Sequence, residues 1–86
     1  MSSNDAKHEL FGQFAIVAKA LSHAHRLELL ELLAQGERNV ETLAVLADLA
    51  VGNASQHLQR LRRAGLVVTR KDGQQVLYRL ADKSPA

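Results

Sequence analysis

The chain contains no cysteine. That excludes a disulfide framework, a thiolate metal site and cysteine-based catalysis. It has no tryptophan, one tyrosine and two phenylalanines, too few aromatic platforms to stack single-stranded nucleic acid. It has no Gly-rich phosphate loop, no G-x-S-x-G and no HExxH, so nothing points to an enzyme or a catalytic residue. No apolar run approaches ~18 residues, the length a membrane span requires. The first residues, MSSNDAKHE, are polar and lack the apolar stretch of a signal peptide. The cytoplasm is therefore the default compartment, and no membrane partner is expected.

What is present is an ordinary globular composition, 47% hydrophobic and 23% charged over 86 residues. A chain of this size buries only about 60–65% of its unfolded surface, so residues 1–86 are expected to form one small domain that is marginal alone. Its net charge of +2 conceals a division. Residues 1–49 carry four Lys/Arg against seven acids, a net −3. Residues 50–86 carry seven against two, a net +5. A basic half on a small domain suggests a polyanionic partner, although a solvated cationic face would look the same.

The hydrophobic period then divides the chain. Leu10, Phe11, Phe14, Val17, Ala18 and Leu21 recur at steps of three and four, which predicts a first helix over about 5–21. Its face is read as core or as a dimer contact. Ser22 offers an N-cap for a second helix over about 23–35, closed by Gly36. The leucines at 27, 29, 30, 32 and 33 surround most of that helix, so it should lie centrally. Asn39 caps a short third helix over about 40–47. A break at 48–50 precedes a fourth over about 51–64, with Val51, Ala54, Leu58 and Leu61 inward and Gly65 at its end. After Gly65 the period changes to two. LVVTRK and QQVLYRL flank Asp72-Gly73, a hairpin signal. Residues 82–86 form a polar tail. The fold class is mostly α with a β-hairpin.

Two short helices separated by three residues and followed by a hairpin make a helix-turn-helix with a wing. The second helix of such a pair lies in the major groove of DNA. The outward face of the predicted fourth helix carries Asn53, Ser55, Gln56, Gln59, Arg60, Arg62 and Arg63 and no acid. Asn and Gln bond an adenine edge in two places, Arg does so with guanine, and Ser and Arg suit phosphate. The wing tip adds Arg70, Lys71, Gln74 and Gln75, suited to the phosphate backbone or a minor groove. The DNA-binding set is therefore Asn53, Ser55, Gln56, Gln59, Arg60, Arg63, Arg70, Lys71, Gln74 and Gln75. His57 is read as a packing or phosphate-contacting residue. His23 and His25, at i and i+2, face different directions on a helix and do not converge on an ion, so no metal and no cofactor is expected.

Three stretches carry a family resemblance: LSHAHRL at 21–27, SQHL…LRRAGLV at 55–67, and RKDG…VLYRL at 70–80. Together they make residues 21–82 similar to the ArsR/SmtB family of bacterial winged helix-turn-helix repressors, closest to its metal-independent, often thiol-sensing branch. The resemblance implies a cytoplasmic homodimer that represses a promoter by binding a palindromic double-stranded DNA operator and leaves when an inducer binds. The dimer contact is placed on the Phe11/Phe14 face. Departures matter as well. The family's sensor cysteines have no counterpart here, and its final dimerisation helix is expected to be absent or truncated. Ala50 stands where a serine often caps the recognition helix. The alternative reading is a winged-helix protein-interaction module, or a regulatory fragment of a longer chain such as a rhodanese-like fusion.

Overall fold

A computed structural model of the chain describes residues 3–82; of the polar tail, residues 83–86 lie outside the described residues. The chain opens with one helix, α1 (Ser3–Ala34), of 32 residues. The two helices expected on either side of Ser22 are therefore a single rod, about 48 Å long at 1.5 Å per residue. The reason is local. The stretch 18–25 contains strong helix formers and neither Gly nor Pro, and a lone serine inside a helix costs only a fraction of a kcal/mol. Capping at Ser22 would have required an extended residue there, with the hydrogen bonds of one helical turn given up.

The remaining elements are β1 (Arg38–Asn39), α2 (Val40–Ala47), α3 (Val51–Arg63), β2 (Val67–Asp72) and β3 (Gln75–Leu80). The strands form an antiparallel sheet in the order β1-β3-β2. Val67 pairs with Leu80 and Asp72 with Gln75. The turn is thus Gly73-Gln74, one position beyond the Asp-Gly pair. Gly73 has φ +64, and a positive φ at the first loop residue is what glycine supplies in a tight hairpin. β1 was not expected. It pairs Arg38 with Tyr78 and Asn39 with Leu77, which ties the wing to the segment ahead of α2.

Helix ends set the geometry of the helix-turn-helix. Asn39 caps α2, its side-chain oxygen accepting from the Thr42 N–H at 2.8 Å. Asp48 ends α2 in the left-handed region, at φ 55, and Leu49 N–H returns to the Ala44 carbonyl at 2.9 Å. That closes the turn. Ala50 is the cap residue ahead of α3 and supplies no side-chain cap. The helix ends with Gly65 at φ +79; the Gly65 and Leu66 N–H groups bond the carbonyls of Arg62 and Leu61 at 3.0 Å each. This paired closure is the Schellman arrangement, and it aims the chain directly into β2.

The core joins the carboxyl-terminal half of α1 to everything after it. Leu29, Leu33, Leu43, Ala47, Leu58, Leu61, Val67 and Tyr78 are buried together, with Leu30, Leu32, Val40, Leu49 and Leu80 packed around them. Leu27, expected among the central leucines, is exposed. Residues 4–21, by contrast, have no buried side chain. The first half of α1 projects from the core, and the radius of gyration is 16.8 Å against about 12 Å for a compact chain of this length.

Candidate nucleic-acid interface

α3 places its side chains by its own periodicity. Ala54, His57, Leu58 and Leu61 are buried, which turns Asn53, Gln56, Arg60 and Arg63 outward at steps of three and four. Val51 was expected inward but is exposed. Ser55, Gln56, Gln59, Arg60 and Arg63 line one shallow groove of about 390 Å³. Arg63 is steered along the helix by donating Nε–H to the Gln59 carbonyl at 3.4 Å. The helix has no acid in its first turn and three arginines in its last. Five donor-bearing side chains without a carboxylate among them make a surface for a polyanion with readable edges. The uncapped first turn adds backbone N–H groups that favour negative charge.

Asn53 lies just to one side. It shares a second cleft with Gln56 and Arg60, where α3 meets α1. His57 is on the packed side of the helix, its ring 5.7 Å from that of His25 in an edge-on arrangement. Burial lowers its pKa, and the neighbouring His25, Arg26 and Arg60 lower it further.

The wing is less free than its composition suggests. Lys71 and Gln74 are exposed at the hairpin tip. Arg70, however, donates two hydrogen bonds to Glu37, at 2.7 Å from Nε and 2.6 Å from Nη2. Arg70 holds the Glu37 carboxyl below the usual carboxylate range, and Glu37 in turn raises the Arg70 pKa. A depressed carboxyl pKa keeps the pair formed at neutral pH and releases it only as pH falls through that lowered value. Gln75 accepts from Asn39 Nδ2 at 2.7 Å. Two of the four wing residues are thus bonded to the segment around β1. Glu37 and Asn39 lie 33 and 36 residues from these partners, and no local pattern links them.

The structure has close counterparts. It superposes on the homodimeric winged helix-turn-helix DNA-binding domain, a fragment of residues 1–100, of a possible ArsR-family transcriptional regulator from Mycobacterium bovis, with a TM-score of 0.69 and 42% identity over 96% of this chain and 75% of that one. The transcriptional repressor BigR from Xylella fastidiosa gives a TM-score of 0.66 at 34% identity, covering 95% and 83%. In sequence, an HTH-type transcriptional regulator of Mycobacterium tuberculosis is 43% identical over 96% of this chain, which spans only 37% of that relative. The transcriptional activator HlyU of Vibrio cholerae is 38% identical, with 94% and 69% covered. Residues 23–69 match the family described as bacterial regulatory protein, arsR family. That match takes in the end of α1, both helices of the helix-turn-helix and the start of the wing: the chain belongs to the ArsR family of bacterial regulatory proteins.

Proposed function

We propose that this chain is the DNA-binding unit of a dimeric transcriptional repressor. α3 lies in the major groove of double-stranded DNA, with Gln56 and Asn53 reading base edges and Ser55, Gln59, Arg60 and Arg63 holding flanking phosphates. Lys71 and Gln74 of the hairpin touch the adjoining backbone, and Arg70 and Gln75 join them when their intramolecular partners are displaced. The observation that carries this reading is the groove on α3, where donors and guanidinium groups converge with no acid present. Repression is the mode named for an Agrobacterium fabrum relative 43% identical over 86% of this chain.

The second copy sits on the projecting half of α1. Leu10, Phe11, Phe14 and Val17 are each more than half exposed, and an exposed apolar stripe of this kind marks an interaction surface. A two-fold axis through it sets two α3 helices about 34 Å apart, one turn of DNA, over an inverted repeat. The reading is tested by selection from a random duplex library. An inverted-repeat consensus is the expected product, and Gln56→Ala should change preference at one base pair per half-site by about 1–3 kcal/mol. Failure to enrich any sequence, or an unaltered preference in the variant, would overturn it.

A further inference from the structure

The joint between α1 and α3 holds a group that the DNA reading does not use. His57 is 8% exposed; its ring makes no hydrogen bond to another described residue, and because no buried side-chain nitrogen among the described residues lacks a partner, its ring nitrogens open onto solvent. With His25, Asn53, Gln56 and Arg60 it lines a cleft of about 350 Å³, in the size range of small-ligand pockets. Ala18 and Leu21 supply an apolar wall. No lining residue is acidic, and the Arg60 guanidinium has no ion-pair partner among the described residues. An imidazole, a guanidinium without an ion-pair partner and two side-chain amides therefore face one cleft as hydrogen-bond donors. A metal ion fits poorly, because no third His, Cys, Asp or Glu joins the two histidines among the described residues.

We propose that this cleft binds a small organic oxyanion, a carboxylate or phosphate head on a compact apolar body, held by Arg60, His25 and His57. The head takes charge-assisted hydrogen bonds from Arg60 and hydrogen bonds from the ring N–H groups of His25 and His57. The body lies on Ala18 and Leu21. An anion beside His57 favours its charged form, so occupancy opposes the lowering that burial and the neighbouring His25, Arg26 and Arg60 impose. Binding and His57 protonation are therefore linked, and affinity rises as pH falls.

The test uses the full chain without DNA, so its outcome is separate from that of the DNA reading, even though Gln56 and Arg60 serve both. Sodium benzoate and phenyl phosphate are titrated at an ionic strength fixed with sodium chloride, and the ring protons of His25 and His57 are followed by NMR. One or both probes should shift both histidines saturably, with tighter binding at about pH 6 than at about pH 8. Arg60→Gln should weaken binding about tenfold or more. Arg62→Gln removes the same charge from the same helix outside the cleft, and should change affinity by less than about twofold. No saturable shift from either probe, or equal weakening by the two substitutions, would overturn the proposal.

Discussion

Glu37 offers Arg70 the same two-oxygen face that a DNA phosphate would, at 2.6 and 2.7 Å. A phosphate must therefore displace a carboxylate before it gains that arginine, since both acceptors fill the same guanidinium fork. Glu37→Gln removes the competing charge. The hairpin keeps its place, because the β1–β3 pairing and the Asn39–Gln75 bond remain. One more phosphate contact steepens the dependence of log affinity on log salt by about 0.9. Across a fourfold rise in salt, from about 50 to about 200 mM, that is an additional loss of about 3.5-fold per protomer, or about 12-fold for a dimer. The variant should bind a selected duplex more tightly than the parent at the lower salt and lose more of that affinity at the higher. Fluorescence anisotropy with a labelled duplex reads both quantities. Adding Arg70→Gln should abolish the gain. An unchanged slope, or weaker binding by Glu37→Gln at low salt, would show that Glu37 positions Arg70 for DNA rather than withholding it.

Other expectations concern the scaffold. Leu58 is fully buried at the centre of the core; Leu58→Ala should cost about 2–5 kcal/mol and lower the melting temperature by about 10 °C or more, as read by calorimetry. Ala50 already has the extended backbone of a cap residue, at φ −63 and ψ 145, without a capping side chain; Ala50→Ser should raise stability by about 0.5–2 kcal/mol in urea denaturation. Asn39→Ala, which removes an existing cap, should lower it by a similar amount, about 0.5–2 kcal/mol. Phe14→Glu places a charge in the exposed stripe of α1 and should convert dimer to monomer in analytical ultracentrifugation while leaving the helical circular dichroism intact. A dimer that survives this change would move the interface elsewhere.

What the sequence discloses is what depends on near neighbours. The helix-turn-helix follows from apolar steps of three and four, the cap at Asn39 and the glycine at 65; the hairpin follows from a change of period around Gly73. Ser22 misleads because capping is only one use of a serine, and Ala18, Lys19, Ala20, Leu21 and Ala24 around it outweigh that option. β1 is two residues long and exists only because residues 77 and 78 pair with it. The Glu37–Arg70 pair and the His25–His57 contact join residues more than 30 positions apart, and both alter how the site is read. Arg70 passes from a free wing cation to a partnered one, and of the two roles read for His57, packing or phosphate contact, burial supports the packing one.

The central claim is that the acid-free face of α3 binds duplex DNA and reads its sequence. A salt-varied titration with a library-selected duplex and its scrambled counterpart tests it most directly. Binding to the selected duplex should weaken by about 10³–10⁵ between about 50 and 200 mM salt if six to ten phosphates are contacted, and should remain tighter than binding to the scrambled one throughout. A shallow salt dependence with equal affinity for both duplexes would contradict the account.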